Sequence, residues 1–313
     1  MIGDVLHLRL IIPPDLADDV LTELEASSGA VHIVEYASAA ERPGGRLVSC
    51  EVVREAANDL VEALQRKGVH HAGAITLEQL ETVVSDAAAR AEDDTPGASG
   101  DALVWEELEV RARDESALTA SFLIFMAIAA SIAAIGILLD SAILVIGAMV
   151  VGPDYGPLAA VCVHLVRRRW DRAAIATRTI GIGVVVAAAA ALVMTLVLRA
   201  VSVVPVDYVS DRTLTSFISR PDVLAAVVAV LAGVVGMLSL TEARSGALIG
   251  VLVSVTTIPA IGNVGAAAAY GEWHEVGGAL VQLLVNVTSL IVAGCVTLVV
   301  QARHTTHQTS RPT

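Results

Sequence analysis

Ile146-Gly-Ala-Met-Val-Val-Gly-Pro-Asp-Tyr-Gly-Pro157 is the stretch on which the fold turns. It lies inside an apolar run covering 142–166, in which Asp154 is the one acidic residue. About 20 consecutive apolar residues cross a bilayer, so the run reads as a membrane span. The span is interrupted at its centre. Pro153 has no N–H for the carbonyl four residues earlier, and its ring pushes that carbonyl aside. Pro157 repeats the defect one turn later. Carbonyls freed near Met149 and Pro153 cannot face lipid and must meet protein, water or an ion. Asp154 falls near the bilayer midplane, where an acidic side chain costs about 2.5–3.5 kcal/mol on insertion scales. Two readings fit it: a cation- or proton-coupled site, or a kink in which a neutral, hydrogen-bonded Asp packs the bundle.

Outward from this stretch, five more apolar runs cover 118–139, 174–199, 222–240, 246–270 and 277–300, giving six predicted spans. The fifth repeats features of the second: Leu-Ile-Gly250, then Pro259-Ala-Ile-Gly262-Asn263. Pro259 frees the carbonyl of Val255, with Thr256, Thr257 and Asn263 supplying polar atoms nearby. The second and fifth spans are the middle members of two groups of three. Three is odd, so the second group enters the membrane inverted, an arrangement found in transporters. On the sixth span Gln282, Asn286 and Ser289 share one helical face, as site residues or as bonds between helices. The candidate binding set is therefore Asp154, Pro153, Pro157, Thr256, Thr257, Pro259, Asn263, Gln282 and Asn286. His164 reads as an interfacial residue at the end of the second span.

Charge divides the chain. Residues 1–117 hold 24 acidic against 9 basic side chains, net −15, whereas 118–313 hold 9 against 11, net +2. Two compositions indicate two domains in two solvents. The acidic part repels nucleic acid and anionic headgroups. In the membrane part the densest basic cluster is Arg167-Arg-Arg-Trp-Asp-Arg172. With Arg244 and the Arg303/Arg311 tail it falls on one side if both termini are cytoplasmic. The link at 200–221 is then outside, where Leu214, Phe217 and Ile218 have the spacing of a short interfacial helix.

The N-terminal part alternates between strand and helix patterns. Val5–Ile12 alternates and is rich in branched residues, and Pro13-Pro14 stops it. A helix capped by Asp15 runs to Ala26, followed by strands at 30–36 and 46–53 around an Arg-Pro-Gly-Gly turn. A helix over 55–67 ends at Gly68, and a strand covers 69–77. The order β-α-β-β-α-β is the ferredoxin-like split motif. Such a module either binds a small metabolite or serves assembly alone. Residues 78–93 suggest a further helix. An amphipathic helix at 101–116 would hold Leu103, Trp105, Leu108 and Val110 at the headgroup level, with Glu106, Glu107, Glu109, Arg111 and Arg113 wet. The domains are thus a ferredoxin-like α+β cytoplasmic domain (1–78), a helical linker (79–117), a six-span membrane α-helical bundle (118–301) and a disordered cytoplasmic tail (302–313).

The segments Ile146–Pro157 and Ser245–Asn263 resemble the bacterial membrane family catalogued as domain of unknown function 389. Gly147-Ala148-Met149, Pro153 and Pro157 fit its second-span pattern. Gly250-Val251 and Pro259 fit its fifth, although Ile258 stands where that family has the first proline of a pair. The resemblance covers 118–300 and extends to the preceding small α/β domain. It implies a multi-pass protein of the bacterial plasma (inner) membrane, with no established activity.

Nothing reads as an enzyme: there is no His-rich metal spacing, nucleophile elbow or phosphate loop. Cys50, Cys162 and Cys295 lack metal or redox spacing and read as buried apolar residues. The expectation is a secondary transporter or channel for a small solute or ion, needing no cofactor and no metal. Membrane lipids and further copies of the chain, as a homo-oligomer, are its expected partners, and nucleic acid is not. The alternative is a non-transporting scaffold or sensor whose soluble domain binds a ligand or partner.

Overall fold

The computed structural model describes residues 5–41, 44–80, 83–95, 104–204, 214–215, 218, 223–241 and 257–309. They form two compact units, Met1–Glu107 with Val300–Thr313, and Leu108–Val299.

The first unit begins with β1 (Val5–Ile12), α1 (Ala17–Ala26), β2 (Ala30–Glu41), β3 (Gly44–Val53) and α2 (Arg54–Arg66). The one-turn α3 (Val69–Ala72), β4 (Ala74–Gln79) and α4 (Asp86–Asp94) follow. The strands form one sheet in the order β2-β3-β1-β4, and every neighbouring pair is antiparallel. Period-two alternation fixes the register: Leu6, Leu8, Leu10 and Ile12 all point to one face, opposite Val52, Cys50, Val48 and Arg46. With Val20 and Leu24 of α1 and Leu60 and Leu64 of α2 they form the unit's core.

Two local expectations are corrected. Asp15 does not cap α1; the helix starts after Leu16 with no side-chain cap, because the chain first turns over Pro13–Leu16. The last strand starts at Ala74, not at 69. Gly68, at φ 81°, ends α2 in the left-handed region and opens another helical turn. Gly73 then meets the Ile11 carbonyl so closely that no side chain fits, which fixes where β4 joins β1.

Helix α5 (Trp105–Glu115) precedes the apolar helices α6 (Ala120–Leu138), α7 (Ala142–Val151), α8 (Tyr155–Val166), α9 (Trp170–Ala200), α10 (Val223–Thr241), α11 (Thr257–Tyr270) and α12 (Trp273–Thr309). On α5 the expected apolar face is wrong in one place. Leu108 and Ala112 are buried, but Val110 is exposed, because residues two apart point to different sides of a helix. Helices α6, α9, α10 and α12 are each long and apolar enough to cross a membrane. The pair α7–α8, bent by 53°, makes a fifth candidate if it counts as one span. Of the fifth predicted span, 246–256 lie outside the described residues. The remainder, α11, is about 21 Å long at 1.5 Å per residue, shorter than a hydrocarbon core.

Small side chains let α6, α9 and α11 pack closely. Ala129, Ala130, Ala133 and Ala134 of α6 meet Ala187 and Ala191 of α9 and Ala266 of α11 in one buried cluster. At the far end Arg199 of α9 donates to the Ala269 carbonyl and lies 4.1 Å from the centre of the Tyr270 ring. The 200–221 link is seen at a few points. Asp140 accepts hydrogen bonds from the backbone N–H groups of Leu214 and Thr215 and from the Thr215 hydroxyl, and Ile218 is buried against Ile137, Val145 and Met149. The predicted helix there includes Phe217, which is outside the described residues.

Candidate functional site

The second predicted span is two helices with a break at Gly152-Pro153-Asp154, where the proline chemistry places it. Helix α7 closes on Gly152, whose N–H donates to the Ala148 carbonyl at 3.1 Å. Helix α8 begins at Tyr155. Pro157 is therefore not a second kink. It is the third residue of α8, within the first turn, where the missing N–H would have had no helical partner. Pro259 stands likewise third in α11, so the described part of that helix starts around its proline.

The break and the start of α11 meet. A Cβ at Gly152 would lie 2.5 Å from Ile258 Cγ1 and 3.5 Å from Ala129 Cβ, so only glycine admits this approach. Asp154, 8% exposed, is the N-terminal cap residue of α8, yet its carboxyl makes no capping hydrogen bond there. The nearby polar side chain is Thr257, in the first described turn of α11, whose buried hydroxyl has no hydrogen-bond partner among the described residues. Thr257 is itself buried. Among the described residues no basic side chain forms an ion pair with Asp154.

The other candidates divide. Asn263 is fully buried, six residues along α11. Gln282 and Asn286 are buried on α12, where Gln282 Nε2 donates to Asn286 Oδ1 at 3.1 Å. That bond joins one helical turn to the next and is not a contact with Asp154. Thr256 is outside the described residues. The structure thus brings together Asp154, Pro153 and Thr257, with Pro259 two residues further along α11.

Several residues at this site carried no sequence signal. Glu115, the last residue of α5, lies against the break: a Cβ at Gly156 would be 2.9 Å from Glu115 Cβ. Burial pushes its carboxyl above the ordinary glutamate range, and Arg111 pulls it partly back. The Tyr155 ring packs on Gly236 of α10, and its buried hydroxyl has no hydrogen-bond partner among the described residues. His164, read as an interfacial residue at the end of the second span, stands in the last turn of α8 and is buried against the protein.

Glu109, expected to be wet, is buried beneath the arginine loop. Its carboxylate meets Arg167 at 2.9 Å, Arg169 at 3.0 Å and Arg172 at 3.2 Å. Arg111 donates to the Leu240 carbonyl, and Thr179 donates to the Ser116 carbonyl at 3.0 Å. The C-terminal half of α5 is thereby pinned to the ends of α8, α9 and α10. Replacing Glu109 with Ala leaves three guanidinium groups facing each other without their shared anion. The expected cost is about 1–3 kcal/mol of stability, the usual price for a lost charged hydrogen-bond partner. Thermal unfolding in detergent at two salt concentrations checks this: the difference between wild type and variant should narrow as salt rises.

Residues 149–292 match the family described as Domain of unknown function (DUF389). Every candidate binding residue falls within the match, whereas the four-stranded sheet and α6 lie before it. No curated protein and no solved structure matches the chain.

Proposed function

We propose that this chain, which belongs over residues 149–292 to the DUF389 family, is a secondary transporter or channel for a small solute or ion. The observation that carries the reading is Asp154: a buried carboxyl at the break of an apolar helix pair, where the break packs on Ile258 in the first described turn of α11. Broken helices create such sites, because backbone groups released at the break and a midplane acid together replace the water shell of a cation or donate to a solute. The proposal includes six spans, with the second and fifth related as the centres of an inverted 3+3 repeat. Their shared Gly/Pro pattern supports this, as does the meeting of Gly152 with Ile258.

The site lies in the plasma membrane of a bacterium with both termini cytoplasmic, a reading supported by the Arg167–Arg172 loop. The acidic sheet unit regulates or assembles the transporter, with the chain as a homo-oligomer in contact with membrane lipids. Its charge speaks against nucleic-acid partners. No enzymatic step belongs to the reading. The test is a flux screen in proteoliposomes with protons, monovalent cations and small organic solutes, wild type against Asp154→Asn. Flux above empty liposomes that disappears in the variant supports the proposal; wild type at background for the whole panel counts against it.

One observation favours the second reading, a membrane scaffold or sensor. The sheet unit holds a cavity of about 420 Å³ between α1 and α2, lined by Glu23, Ser27, Ser28, Asp59 and Arg66 among others. A ligand seated there would make the soluble unit the functional part and the helices its anchor.

A further inference from the structure

We infer that Cys162 and Cys295 form a reversible disulfide that fastens α8 to α12 when the protein meets a hydroperoxide. The two residues are 133 apart in sequence. Their thiols nevertheless enter the same crossing of the two helices, each reaching a backbone carbonyl of the other helix. Cys162 Sγ lies 3.6 Å from the carbonyl oxygen of Ile291, one helical turn before Cys295, and Cys295 Sγ lies 3.8 Å from the carbonyl oxygen of Cys162. Gly294 is what allows this. A Cβ there would meet Cys162 Sγ at 3.0 Å, so the backbone of α12 comes up to the cysteine itself. Disulfides join residues whose Cβ atoms lie about 4 Å apart, and at this crossing a Cβ on Gly294, next to Cys295, would lie 3.7 Å from Cys162 Cβ.

Access and reactivity are unequal. Cys162 is fully buried, whereas Cys295 is half-buried and is the sulfur that meets an oxidant first. The Cys295 sulfur attacks the O–O bond of the hydroperoxide. An S–O bond forms, the O–O bond breaks, and the leaving oxygen takes up the thiol proton. The Cys162 sulfur then displaces the sulfenic oxygen, which leaves as water with the second thiol proton. Two thiols lose two electrons, and hydrogen peroxide becomes two waters. A dithiol reductant reverses the step by exchange. The third cysteine stays out of it. Cys50 is buried in β3, in the core of the sheet unit with Val48 and Val52.

The consequence is local. Helix α8 is the second half of the broken pair and carries Tyr155 and Pro157 in its first turn. Tied to α12, it loses freedom to swing at Gly152–Asp154. Formation of the bond does not rest on the transport reading.

The experiment uses the reduced full chain in detergent, treated with hydrogen peroxide, then unfolded and blocked with a maleimide for intact-mass and peptide analysis. Wild type should change from three blocked thiols to one, lose two hydrogens, and yield a linked Cys162–Cys295 peptide pair that dithiothreitol separates. Cys50→Ser should form the same link, and Cys162→Ser and Cys295→Ser should form none. Three free thiols after peroxide, a link that uses Cys50, or a link only between two chains would overturn the inference.

Discussion

Gly152→Val destabilises the membrane unit by about 1–3 kcal/mol or more, and Ile258→Ala in the same chain restores most of the loss. Any side chain at 152 must enter space that Ile258 Cγ1 and Cδ1 already fill, at 2.5 and 2.6 Å from the Cβ position. Overfilling a packed interior costs of this order, and a branched residue cannot rotate out of the clash. Removing the isoleucine branch opens the same space, so the two changes compensate. Gly147 provides the control. It lies within α7, which Gly152 terminates, but a Cβ there meets nothing within 4 Å, and Gly147→Val should leave stability nearly unchanged. Thermal unfolding in one detergent compares all four proteins. Equal stability of the two glycine variants would mean that α11 does not start against the break.

Asp154→Asn should reduce flux in proteoliposomes by tenfold or more while stability changes by less than about 1 kcal/mol. Asparagine keeps the size of the side chain and its hydrogen-bonding capacity, so the packing around this buried position survives. What it removes is the ability to carry a negative charge or release a proton. A loss of tenfold corresponds to about 1.4 kcal/mol of stabilisation withdrawn from the transported species. If the residue only packs the bundle, asparagine leaves flux at the wild-type level. If the variant unfolds, the carboxylate is a structural element and the flux result says nothing for coupling; the unfolding measurement separates these cases.

The sequence was most legible where one periodicity or one residue type dictates geometry. The period of two in Leu6, Leu8, Leu10 and Ile12 could only be a strand with one buried face, and the sheet order follows from such strands with the helices between them. Pro153 had to interrupt an apolar helix, and it does. Pro157 misled because a proline reads the same whether it kinks a helix or opens one; which applies depends on where the helix begins. Glu109 misled for a different reason. Its carboxylate belongs with Arg167, Arg169 and Arg172, about sixty residues onward, and no local pattern announces an ion pair at that separation. The pairing of Cys162 with Cys295 is of the same kind: spacing rules detect cysteines on one turn or loop, not on two helices joined by a glycine contact. Of the site itself, Asp154 and Thr257 were readable because polar residues are conspicuous in apolar runs. Glu115, outside the runs, was not.

The central claim is that the break at Asp154 opens to water and is not sealed inside a solid helical bundle. Cysteine at position 154, in a chain whose three native cysteines are serine, tests it directly with a small cationic methanethiosulfonate reagent applied to reconstituted vesicles. The reagent should modify position 154, and Gly147→Cys, on α7 before the break, should stay unmodified in lipid. Position 154 unmodified in the folded protein, and reactive only after unfolding, would contradict it.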